Sequence, residues 1–434
     1  MRKTLAFYVD KFGCNRTRQD LSLGMNSGTI QTMKTLLIFR MFAAFLVMFS
    51  QIAHTHEALT KYQPNHLAVS VASDAQGQLW RASVKHGYIW VDKSNDLGKT
   101  FTKAVKVNPQ PMKIAADGEA RPKIAVTAEG NVYLTWTESL KAPYAGYIWF
   151  ARSIDAGKQF DKSIIVHRDR AEITHRFDAL HIAPNGEITV TWVDKRDLLL
   201  AKAAGKSYDG AAIYYAVSSD QGMTFQPEQK LADNSCECCR IVTTHKSDGT
   251  VVALWRHVFE GSERDHMLAE IPKPSQRVIA HRATFGHWQI DGCPHHGAAL
   301  ASGGEGANWW GYHMAYFDGN DKNPGLYYSR MDGVAWVSSP AKIFGDNAKQ
   351  AGHPSILSVG KQVWLVWREI HQGQYTIKGM MSDDEGKSWQ APKILLSSAQ
   401  KLDYPTLILH QQQPHLICNG QQLGLSVISL LSSY

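Results

Sequence analysis

Four short segments of this chain share one pattern: Ser94-Asn95-Asp96-Leu97-Gly98-Lys99-Thr100-Phe101, Ser153-Ile154-Asp155-Ala156-Gly157-Lys158-Gln159-Phe160, Ser218-Ser219-Asp220-Gln221-Gly222-Met223-Thr224-Phe225 and Ser382-Asp383-Asp384-Glu385-Gly386-Lys387-Ser388-Trp389. Each reads Ser-x-Asp-x-Gly-x-x-aromatic. The pattern predicts a hairpin turn in which the Asp carboxylate accepts backbone N–H groups, the Gly takes a positive φ and the aromatic folds beneath to pack between sheets. Four copies of one turn require a fold assembled from repeated units.

A longer repeat runs between the turns: an alternating strand, a polar or Gly turn, and a second strand ending in Trp and a polar residue. Ile124-Ala125-Val126 to Trp136-Thr137-Glu138, Leu180-His181-Ile182 to Trp192-Val193-Asp194, Val242-Thr243-Thr244 to Trp255-Arg256-His257 and Ile356-Leu357-Ser358 to Trp367-Arg368-Glu369 are the clearest copies. With weaker ones, seven units begin near residues 66, 121, 176, 240, 294, 353 and 404. Their spacing suits a four-stranded antiparallel blade.

The turns resemble the Asp-boxes, or BNR repeats, of the sialidase-like β-propellers, and the resemblance runs from about His66 to the C-terminus. It implies an all-β fold, a β-propeller occupying residues 54–434. The repeat count favours seven blades. Six is the alternative, in which the last half-unit closes the first blade. The segment Glu57 to Gln63 is expected to supply an outer strand that covers the last sheet edge.

Residues 33–53 have a basic start, an apolar run from Met41 and a small or polar end at Ser50 to Ala53, the form of a secretory signal peptide. Residues 1–32 carry no assignable role, and Met33 is an alternative start. The expectation is an exported protein, periplasmic or secreted, without a membrane segment once the signal is removed. Of the formal charge of +7, seven basic residues against Asp10 and Asp20 place +5 before residue 54, which leaves no electrostatic case for a nucleic-acid partner.

In a propeller the first strand of each blade is innermost, so its leading residues line the central mouth. That column reads His66, Arg121, Arg176, Arg240, Pro294 with His295, His353 and Tyr404. Three guanidiniums at one axis suit a bidentate anion, and a carboxylated sugar or other anionic glycan is the expected partner. The opposing reading pairs each Arg with Glu138, Asp194 or Glu369 as a strut between blades. The resemblance implies an exo-glycosidase site in which three Arg hold the substrate carboxylate and a Tyr attacks the anomeric carbon. Carried over, Arg121, Arg176 and Arg240 bind the anion, Tyr404 is the nucleophile, and Asp194 and Glu138 are acid and base. A non-catalytic binding or scaffold propeller is the alternative.

Asn234-Ser235-Cys236-Glu237-Cys238-Cys239-Arg240 and Asp291-Gly292-Cys293-Pro294-His295-His296-Gly297 place Cys239 and Cys293 at equivalent positions of neighbouring units. In an exported chain this spacing suggests a Cys239–Cys293 disulfide. The rival is a copper or zinc site built from Cys236, Cys238, Cys239, Cys293, His295 and His296. No other cofactor is expected.

Overall fold

A computed structural model of the protein describes residues 67–273, 276–303 and 309–432. The proposed signal segment, the extension before it and the segment Glu57 to Gln63 lie outside the described residues. Among the described residues there is one short α-helix, Arg196–Ala203, and no helix is long and apolar enough to cross a membrane.

Seven antiparallel sheets follow one another along the chain, six of four strands and the last of three. The first is Val69–Ser73, Leu79–Lys85, Tyr88–Ser94 and Val105–Lys106, paired in chain order. The other sheets open with Lys123–Val126, His175–Ile182, Val242–His245, Ala299–Ser302, Gly352–Val359 and Thr406–His410. These starts fall within a few residues of the expected unit boundaries. Strand period and Trp-ended second strands therefore carried most of the architecture.

Burial shows how the sheets stack. The second strands Ile188–Asp194, Val251–Arg256 and Gly311–Asp318 are buried at every residue, whereas the first strands are mostly half-buried. A strand covered on both faces lies between two neighbours. Its alternate side chains then enter two different cores. Thus Val251, Ala253 and Trp255 pack against the third sheet, while Val252 and Leu254 pack against the fifth. Six hydrophobic clusters join the consecutive sheets in this way.

Each first strand also adjoins the first strand of the next sheet, and Thr406–His410 adjoins Val69–Ser73. Polar contacts serve the junction between the seventh and first sheets: Ser73 Oγ lies 2.8 Å from His410 Nδ1, and Asn419 Nδ2 donates to Leu67 O at 2.8 Å. The result is a propeller-like arrangement with the first strands together.

The four repeated turns connect third to fourth strands in the first, second, third and sixth sheets. In each, the Ser hydroxyl donates to the Asp carboxylate at 2.7 or 2.8 Å and accepts from the Gly N–H at 2.8 to 3.0 Å. The Asp then accepts the N–H four residues on, as Thr224 N to Asp220 at 2.9 Å shows. Glycine is required twice over. At Gly222, φ is +77°, and a Cβ would come within 2.4 Å of the Phe150 ring of the preceding sheet.

Candidate functional site

Arg121, Arg240, His353 and Tyr404 lie together where the first strands begin, connected through Glu119. Arg121 forms a two-pronged ion pair with Asp403, both contacts 2.7 Å, and also donates to the carbonyls of Gly118 and Val69. Arg240 donates to Ala298 O at 2.9 Å and Pro354 O at 2.7 Å, with Glu119 3.9 Å away. Both guanidiniums bridge sheets, so the strut reading holds for them. The partners differ from those expected: Asp403 and Glu119 replace Glu138, Asp194 and Glu369.

Glu119 is buried, accepts the Gly297 N–H at 3.0 Å, and receives His353 Nδ1 at 3.1 Å. Burial alone pushes its carboxyl pKa up, but the Arg240 guanidinium and the His353 hydrogen bond prevail and hold it well below the usual carboxylate range. His353 is buried too, and desolvation brings its pKa down to about 4 against the pull of Glu119. It is a neutral ring donating to an anion. Lys123, from the same strand start as Arg121, donates to the carbonyls of Glu119 and Arg121, and burial lowers it to about 8 although Asp178 opposes this.

The Tyr404 ring is clamped. The His353 ring stacks on it at 3.5 Å between centroids and 9° between planes, and the Arg368 guanidinium lies 4.5 Å from its centre. Arg121 sits 5.6 Å away. Burial raises the phenol pKa, and the charged groups around it are Arg368, Glu119, Arg121 and Asp403. Arg368 donates to Leu402 O at 3.0 Å and forms no ion pair among the described residues.

Four residues singled out in the sequence stand elsewhere. Asp194 is fully buried, accepts the Trp192 indole N–H at 2.9 Å, and is gripped by Arg196, so it is a structural carboxylate rather than an acid beside Tyr404. Glu138 accepts the Trp149 indole N–H at 2.7 Å. Glu369 does the same for Trp367 at 2.9 Å and pairs with Lys378. In Trp192/Asp194 and Trp367/Glu369 the Trp-x-acid spacing puts indole and carboxylate on one face of a strand, where each satisfies the other. Among the described residues Arg176 forms no hydrogen bond or ion pair with the Glu119 group; its guanidinium lies 5.2 Å from the Phe177 ring and its buried Nε lacks an acceptor.

The residues that sequence reasoning missed are Glu119, Lys123, Arg368 and Asp403. A signal existed for each. Glu119 and Lys123 flank Arg121, Asp403 precedes Tyr404, and Arg368 lies between Trp367 and Glu369. A cleft of about 200 Å³ lined by Phe150, Arg152, Asp161 and Met223 contains none of these groups; it lies beside an outer turn and has no comparable convergence of charge.

The cysteines also differ from expectation. All five described cysteines are free, and Cys239 Sγ lies 3.4 Å from Cys236 Sγ, which corrects the proposed Cys239–Cys293 disulfide. Cys236 Sγ is 3.7 Å from Cys238 Sγ. Cys293 and His295 approach Cys238 from the exposed side. His296 does not join them; its ring stacks on Phe317 at 4.2 Å.

No protein-family model matches the chain, and no curated protein matches it. Solved structures do. The polysaccharide lyase Uly1 superposes with a TM-score of 0.51 at 9% identity, covering 85% of this chain and 90% of the other. A PL25 ulvan lyase gives 0.50 at 11% identity over 83% and 90%. A Hadza microbial sialidase, Hz136, gives 0.49 at 14% identity over 82% and 74%. The likeness is one of fold. The chain shares an all-β, propeller-like architecture with the two lyases, and the residues of its centre must be judged on their own chemistry.

Proposed function

We propose that the protein is an exported, seven-bladed sialidase-like propeller that binds an anionic glycan, specifically a carboxylated sugar, at the mouth where Arg368 lies on the face of Tyr404. One observation carries the reading: Arg368 is a guanidinium without a carboxylate partner among the described residues, set on the face of a tyrosine whose ring also lies 5.6 Å from Arg121. A planar fork in that position accepts a carboxylate in two-pronged fashion, and a sugar ring suits the aromatic surface. The fold shared with polysaccharide lyases agrees with a carbohydrate ligand.

Calorimetry with methyl glucuronide, N-acetylneuraminic acid and neutral methyl glucoside tests this. Both acids are expected to bind and the neutral sugar not to, with Arg368→Ala removing at least tenfold of the affinity. Equal binding of acid and neutral sugar, or none of either acid, overturns it. Export is part of the same proposal, and N-terminal sequencing of protein recovered outside the cytoplasm should begin near residue 54.

Glycoside hydrolysis with Tyr404 as nucleophile is a second reading, favoured by the stacked His353 that links the Tyr404 site to the ionised Glu119. Turnover of sialyl, uronyl or sulfated glycosides that Tyr404→Phe abolishes supports it. Binding without turnover leaves the binding propeller.

A further inference from the structure

The sugar reading makes no use of the thiols ahead of the fourth and fifth sheets. Cys236, Cys238 and Cys239 occupy the loop between Gln229–Ser235 and Val242–His245, and all three are buried. Their sulfurs lie within 4.8 Å of one another. A second group, with the same mutual limit, consists of Cys238, Cys293 and a ring nitrogen of His295, the latter two exposed. Cys238 belongs to both.

Buried cysteines often serve as plain core residues, and these do pack among Phe177, Ala211 and Trp255. Two observations exceed that role. First, the buried Arg256 next to the cluster donates to the carbonyls of Arg264, His296 and Phe317, and no carboxylate lies within ion-pair distance of it among the described residues. Its Nε has no acceptor, and its carbonyl accepts the Cys236 N–H at 2.8 Å. A buried cation left in that state calls for a nearby negative group. Second, His295 adopts the left-handed backbone conformation at φ +51°, uncommon for a residue with a Cβ, where its ring reaches Cys238.

We propose that Cys236, Cys238, Cys239, Cys293 and His295 form a Cu(I) site with two metal positions bridged by Cys238. A metal–sulfur bond of about 2.3 Å places two sulfurs of a three-coordinate metal about 4.0 Å apart, so the observed 3.7 and 3.4 Å need an adjustment of a few tenths of an ångström. Each position offers three donors, rich in sulfur. Soft thiolates select Cu(I), whereas structural zinc takes four ligands. Loading releases the thiol protons to solvent, and the anionic copper–thiolate group then faces Arg256. The inner position is dry and the outer one opens to solvent, so metal enters through Cys293 and His295.

The test uses the full chain, reduced and free of oxygen, titrated with Cu(I) held by bicinchoninate. Two copper ions per chain should survive desalting, with near-ultraviolet thiolate-to-copper absorption and loss of four reactive thiols. The variant Cys293→Ser with His295→Ala alters exposed side chains and should keep one copper. Cys236→Ser with Cys239→Ser should lose the inner copper, circular dichroism reporting whether it folds. The proposal fails if the reduced chain takes no copper from bicinchoninate, or if the exposed-side variant retains both ions. A Cys236–Cys239 disulfide in freshly isolated protein, or Zn(II) displacing bound Cu(I), also overturns it. Sugar binding is read separately, so either proposal can fail alone.

Discussion

The outer turns and the central mouth are both built by repetition, yet they close in opposite ways. At each turn the Asp carboxylate bonds only to residues within four positions of it, and the same contacts recur in four sheets. At the mouth the strand starts are equivalent, but their contacts join Arg121 to Asp403 and His353 to Glu119, 282 and 234 residues apart. A local rule can be copied from unit to unit. A closure between distant units has to be written once, in whichever side chains meet there.

The most severe way to break the mouth is to unpair its buried ions. Arg121 and Asp403 are each at most 10% exposed, so Arg121→Ala or Asp403→Ala leaves a buried charge without its partner and should cost about 3–5 kcal/mol. The double change Arg121→Met with Asp403→Leu should recover most of that loss. Urea midpoints with an unchanged slope would measure it. Equal losses in the single and double variants would show that the pair matters through its backbone hydrogen bonds instead.

This contrast also explains what the sequence disclosed. Period-two alternation in the half-buried first strands and the Trp at the end of the fully buried second strands located the sheet starts. The turn chemistry was equally legible, being complete within eight residues. The roles of Asp194 and Glu138 were not, because a carboxylate two residues after a Trp looks free until the indole N–H is placed. Arg121 and Arg240 were found by position, but their use as struts depends on Asp403 and Glu119, which only the closed arrangement brings within reach.

At the outer turns the decisive atom is the absent Cβ. Gly222→Ala combines a positive φ with a clash against Phe150 and should destabilise by about 2–4 kcal/mol. Gly186 provides the control: φ is +83°, but a Cβ there meets nothing within 4 Å, so Gly186→Ala should cost about 1 kcal/mol. Thermal melts of the two variants separate backbone strain from packing. Equal losses would remove the packing argument.

Acid distinguishes the two regions by mechanism. His353 is held neutral, its pKa lowered by burial from 6.5 to about 4. Its contribution to stability is complete above pH 6.5 and falls as the pH drops, because the unfolded chain binds a proton that the folded chain refuses. The loss levels off near pH 4. Other buried histidines add to the slope, so the readout is the difference between the wild type and His353→Gln, together with the imidazole titration followed by NMR. A His353 pKa near 6.5 would mean that the mouth is wet.

The turns respond later and more weakly. Thr224 side-chain and backbone hydrogen bonds lower the Asp220 pKa from 3.8 to about 2, so its contribution is present above pH 3.8 and is lost as the pH falls through about 2. Asp220 is accessible to water, and Asp220→Ala at neutral pH should cost only about 1 kcal/mol through the hydrogen bonds removed. Near pH 2 wild type and variant should converge. If Asp220→Ala instead cost as much as Arg121→Ala, the outer turns would be clamps between sheets, and the division between a copied local rule and a singular closure would be wrong.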